Sequence, residues 1–156
     1  MISSIKLTTM LISLLSLLSF FSLYSSAESN SFTKTTLPHP LIKSQQSWDG
    51  GNISYPKGPA EITSYKLTLL PNSPTEYHCH PVPTFGYVLK GTIVVETDSG
   101  ESISFKEGQA VIEVMGTIHR GKAINGPAEI LVFYAGTPTI PNTVLAKNDT
   151  EHIYCK

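Results

Sequence analysis

Tyr77-His78-Cys79-His80-Pro81-Val82-Pro83-Thr84-Phe85-Gly86-Tyr87-Val88-Leu89-Lys90-Gly91 is the stretch on which the reading of this chain turns. His78 and His80 form its only close histidine pair. Side chains alternate along a β-strand, so residues i and i+2 share a face. Two imidazoles on one face are a natural start for a metal centre, because neutral imidazole is a common ligand for divalent transition metals. Cys79 lies between them and points to the opposite face, away from any ion they hold. His119 belongs to the same β-rich block, and a closed or packed sheet brings it opposite the pair.

Working outward, strands and turns alternate at short intervals. Residues 62–70 are β-rich, with Tyr65, Leu67 and Leu69 alternating on one side, and Pro71 to Pro74 breaks the run. Residues 76–80 read as a short strand carrying the pair. Residues 86–97 read as two strands joined at Lys90-Gly91, and Asp98-Ser99-Gly100 as a tight turn. Residues 102–105 and 110–114 are further strands, separated by Lys106-Glu107-Gly108. Residues 117–124 and 128–134 flank Asn125-Gly126, a strong hairpin signal. Strands at this spacing indicate an all-β sandwich or barrel.

Two motifs within residues 62–136 resemble those of the cupin family. The family's first motif is G-x5-H-x-H-x(3,4)-E-x6-G, and its second is G-x5-P-x-G-x2-H-x3-N. His78, His80 and Gly91 fit the first, and Gly108, Gly116 and His119 fit the second. Thr84 stands where the first motif has its metal-binding glutamate, and Asn72 stands at its first glycine. Val114 and Ala123 replace the proline and asparagine of the second. The resemblance implies a single jelly-roll (double-stranded β-helix) barrel over residues 61–136. It also implies a metal site of His78, His80 and His119.

Composition sets the outer limits. The 156 residues suffice for one domain with a real core. A net charge of −1 gives no reason to expect nucleic acid or an anionic membrane surface as partner. Residues 1–27 read as a secretory signal peptide: Lys6 is the positive end, residues 11–23 are apolar apart from serines, and Ser25-Ser26-Ala27 offers a cleavage site before Glu28. The run is short and serine-rich for a spanning anchor, so a secreted or periplasmic protein without a stable membrane anchor is expected, in an oxidising compartment. Residues 28–60 read as an N-terminal arm that packs on the sheet or on a second subunit of a homodimer, with Trp48 as its anchor. Residues 137–156 read as a surface tail with one helical turn near residues 142–147. Asn52-Ile53-Ser54 and Asn148-Asp149-Thr150 are glycosylation sequons if the host is eukaryotic.

Three neutral histidines leave a divalent ion uncompensated in charge, and Thr84 in place of glutamate leaves a coordination position open. The ion is Fe, Zn, Mn, Ni or Cu, since ligand type alone does not choose among them. Glu76 is the nearest substitute carboxylate, although a solvated rim position suits it better, and Glu113 is a weaker candidate. Cys79 and Cys155 are expected to form a disulfide, since two cysteines make an even count in a secreted chain and the tail is free to cross the outer face. Two free thiols, or an intermolecular bond, are the alternatives. Three functions follow: a metal-dependent enzyme, with the resemblance pointing to a dioxygenase-type oxidoreductase acting on a small molecule; a non-catalytic binder of metal or small molecule; or a structural or storage-type protein with a silent site.

Overall fold

The computed structural model describes residues 38–156. The signal-peptide reading and the first part of the arm fall outside those residues. Seven strands hydrogen-bond into one continuous sheet: β1 (Glu61–Leu69), β2 (His78–Cys79), β3 (Thr84–Thr97), β4 (Ser102–Lys106), β5 (Ala110–Ile112), β6 (His119–Gly136) and β7 (Val144–Leu145). The two long strands, β3 and β6, run antiparallel to each other. Towards its C-terminal end β6 lies between β1 and the first part of β3, to which β5 is added. Towards its N-terminal end β6 lies between the last part of β3 and β2, with β4 and β7 beyond them. The shared strands fold one sheet into two facing layers, which is the jelly-roll barrel.

The corner where β3 and β6 bend differs from the sequence reading. Lys90-Gly91 does not separate two strands, and Asn125-Gly126 does not reverse the chain. Thr92 pairs with Ile124 and Lys90 with Glu129, so residues 125–128 are taken up as a bulge within β6. Asn125 and Gly126 keep the positive φ values of a turn, 58° and 129°. The hairpin signal is therefore real as local conformation, and it is spent on a bend because β3 remains the partner on both sides. Gly91, at φ 80°, faces this bulge, and a Cβ there would lie 2.7 Å from the Pro127 carbonyl oxygen. Only glycine fits that approach.

Alternation fills the space between the layers. Val88, Ile93 and Val95 of β3 meet Ala123, Ala128, Ile130, Val132 and Tyr134 of β6, with Val82, Phe105 and Val111 closing the ends. Burying each aliphatic side chain of this size stabilises the fold by about 1.5–3 kcal/mol. Trp48 packs against this core and its backbone N–H donates to the Ile112 carbonyl at 3.3 Å, tying the arm to β5. The turn after it is closed by the Asp49 carboxylate, which accepts from Ser47 and Thr117 hydroxyls and the Gly51 N–H.

The C-terminal segment is more built in than a surface tail. It adds β7 to β2, and its single helical turn, a 3-10 turn, lies at Ala146–Asn148. Cys79 and Cys155 are both buried and joined as a disulfide, Cα to Cα 5.5 Å. The Asp149 carboxylate accepts from the N–H groups of Ile153, Tyr154 and Cys155 at 2.7–3.0 Å. Among the described residues no helix is long and apolar enough to cross a membrane.

Candidate metal centre

His78 sits on β2, His80 just after it, and His119 opens β6 directly opposite His78. Their ring centroids are 4.5–4.9 Å apart. One ligating atom from each lies within 4.8 Å of the others, so the three can hold a metal ion. Modest ring rotation brings nitrogens at that spacing within the ~4.2 Å allowed when each sits ~2.1 Å from one ion.

Hydrogen bonds settle which nitrogen each ring offers. His78 Nδ1 lies 2.7 Å from the Glu76 carbonyl, His80 Nδ1 3.0 Å from the Asn142 carbonyl, and His119 Nδ1 2.9 Å from the Thr117 carbonyl. A carbonyl only accepts, so each Nδ1 carries the proton and donates. A neutral ring then keeps its lone pair on Nε2, the tautomer that backbone carbonyls commonly impose on metal-ligating histidines. Burial keeps the rings neutral. It lowers the pKa of His78, lowers that of His119 to about 4 with help from His78, and holds His80 well below the usual value with help from His119 and His78.

The Asn142 carbonyl comes from the C-terminal segment, so the tail helps to build the site. Asn142 also donates from its side chain to the Thr63 hydroxyl on β1, and a Cβ at Gly136 would lie 2.8 Å from the Asn142 Oδ1.

The histidines share a cavity of about 70 Å³ with Ile93, Val95, Ile130, Val132 and Tyr134, and with Leu67, Leu69 and Thr75. That is several times the ~10–15 Å³ that one water needs. Three imidazoles beside an apolar wall suit a small molecule that offers the ion an oxygen donor and the wall a short apolar body.

Of the two further candidate positions beside the histidines, Glu76 and Thr84, neither lines the cavity. Glu76 precedes β2, so strand alternation does not reach it. Its carboxylate is exposed and paired with Lys147 at 2.7 Å, and only its carbonyl serves the site, by holding His78. Thr84 is buried on β3, but its hydroxyl donates to the Val82 carbonyl and it does not line the cavity. Glu113 does line it. It is buried, and its Oε2 stands 3.9 Å from His119 Nε2, too far for a hydrogen bond. Burial raises its pKa to about 7. In sequence Glu113 ranks below Glu76, which is nearer the pair along the chain; strand pairing is what brings residue 113 beside residue 84.

Residues 65–134 match the Cupin domain family model. That segment is a cupin domain. No curated protein matches this cupin in sequence. Solved structures similar to it include the DMSP lyase DddQ from Ruegeria pomeroyi, at 18% identity and TM-score 0.49, over 56% of this chain and 44% of that one. An RmlC-like cupin family protein with a double-stranded β-helix fold from Methanocaldococcus jannaschii is similar at 19% identity and TM-score 0.46, over 49% and 72%. Oxalate decarboxylase from Lactobacillus farciminis, in a formate complex, is similar at 19% identity and TM-score 0.46, over 55% and 26%. This cupin thus spans less than half the length of the lyase and decarboxylase chains.

Proposed function

We propose that this protein is an exported cupin that holds one divalent transition metal through Nε2 of His78, His80 and His119. On this reading it uses the metal as a dioxygenase-type oxidoreductase on a small oxygen-bearing molecule. One observation carries the metal reading: three neutral, buried imidazoles each have Nδ1 committed to a backbone carbonyl, which leaves three Nε2 lone pairs at one cavity. A bound ion would act there as a Lewis acid on the substrate's oxygen atoms. The chain's own residues orient that substrate and exclude water from it, with Ile93, Val95, Ile130 and Val132 as the wall. The Cys79–Cys155 bond supports export, because such bonds persist in oxidising compartments.

The test has two stages. Metal analysis of the protein purified from a secreting host should find about one ion per chain, and a His78→Ala/His119→Ala variant should lose it. Oxygen uptake by the metal-loaded protein with small diketones or thiols should then separate an oxygenase from a binder. Retained metal in the double variant would place the ion elsewhere. Metal binding without oxygen uptake across these substrates would leave a binding cupin and remove the oxidoreductase.

A further inference from the structure

We infer that Glu113 supplies the carboxylate of this metal centre, moved one strand across the barrel from the position that Thr84 occupies. The inference rests on the metal reading above and names a residue that reading does not need. In the family's first motif the carboxylate stands at the position of Thr84, where this chain has a hydroxyl already committed to the Val82 carbonyl. The Thr84 carbonyl in turn accepts the Glu113 N–H at 2.9 Å, so residues 84 and 113 are immediate neighbours across the pairing of β3 with the strand edge that β5 begins. Residue 113 therefore enters the cavity from the strand beside residue 84.

Two deficits meet at this point. A buried carboxylate without a partner is costly, and natural proteins rarely leave one so. Glu113 Oε2 is buried and has no hydrogen-bond partner among the described residues, and no lysine or arginine lines its cavity. Opposite it, three neutral imidazoles would leave a dication with its charge uncompensated. Oε2 lies 3.9 Å from His119 Nε2, which is within the ~4.2 Å that two atoms can span when both ligate one ion at ~2.1 Å. Glu113 stands outside the tighter group formed by the three histidines, beside His119, so it joins them by turning its carboxylate towards the ion. Bound there, it offsets charge and completes a set of three histidines and one glutamate.

The experiment measures Zn²⁺ affinity by competition titration, and melting of the metal-free protein, in four forms: wild type, Glu113→Gln, Thr84→Glu/Glu113→Gln and His78→Ala/His119→Ala. Glu113→Gln keeps shape and removes charge. It should weaken Zn²⁺ at least tenfold, the scale on which losing a carboxylate at or beside a metal tells. It should also leave the metal-free melting temperature unchanged or higher, since a buried unpaired acid has gone. Restoring a carboxylate from the neighbouring strand, in Thr84→Glu/Glu113→Gln, should recover most of the lost affinity. Zn²⁺ affinity within twofold of wild type in Glu113→Gln overturns the inference, as does a loss that tracks a lowered metal-free melting temperature. If wild type binds no Zn²⁺, or the histidine variant binds it as well as wild type does, the metal reading itself falls.

Discussion

The two flanks of β6 are held in different ways. At one end β1 makes a nine-residue ladder, from Glu61 opposite Gly136 to Leu69 opposite Ala128. At the other end β2 is two residues long and meets β6 at a single pair, His78 opposite His119. Yet β1 presents most of its side chains to solvent, Ile62 at 66% and Tyr65 at 52% exposed, while Cys79 of β2 and His80 just after it are buried. The long flank is fastened by its backbone. The short one is fastened by a disulfide, by the Asp149 carboxylate gathering three amides, and by carbonyls that fix each imidazole. Ladder length frames the barrel, and the functional end is positioned by covalent and polar ties from far along the chain.

The largest effect should come from removing the tie with the longest reach. The disulfide spans 76 residues, a loop whose closure stabilises by about 4.5 kcal/mol in the chain-entropy model, as an upper figure. Denaturant unfolding of Cys79→Ser/Cys155→Ser should show a loss of several kcal/mol, together with weaker Zn²⁺ binding. A loss under ~1 kcal/mol would mean that β2 holds its place through strand pairing after all.

A smaller loss is expected from Asp149→Ala, which frees three amides and lets the segment after β7 fray. Hydrogen bonds from the backbone, that of Cys155 first, hold the Asp149 carboxyl below the ordinary aspartate value of 3.8. A depressed folded value means that the stabilisation is complete above 3.8 and is lost as pH falls through the folded value. Acid unfolding followed by circular dichroism should therefore separate wild type from the variant at neutral pH and bring them together in strong acid. A gap that persists unchanged at low pH would show that the carboxylate's charge is not what gathers the segment.

The smallest effect belongs to the other flank. Ile62→Ser or Tyr65→Ser in β1 should shift stability by about 0.5 kcal/mol or less, as exposed positions do. A loss above ~2 kcal/mol in thermal melts would mean that these side chains are covered in solution.

The same contrast explains what was legible from residues alone. Period-two alternation in residues 128–134 announced the end of β6, because that strand has one face against the core; in residues 62–70 it announced a strand, although β1 is largely exposed. His78, His80 and His119 were readable from spacing and from the order of two motifs. The bend at residues 125–128 was not, since Asn125-Gly126 specifies a local conformation and says nothing of which strand lies alongside. Glu113 was undervalued for a related reason: its nearness to Thr84 is made by strand pairing across 29 positions, and Glu76 looked closer only along the chain. The Asn142 carbonyl behind His80 left no trace in residue type, because every residue has one.

The central claim is that three neutral histidines, each donating from Nδ1, turn Nε2 towards one ion. Long-range ¹H–¹⁵N correlation spectra of the folded protein at pH 7, recorded with and without Zn²⁺, test it atom by atom. His78, His80 and His119 should each appear as the Nδ1–H tautomer without metal, and Zn²⁺ should move their Nε2 signals while leaving the Nδ1 protons in place. An Nε2–H tautomer at any of the three, or Nε2 signals indifferent to Zn²⁺, would contradict it.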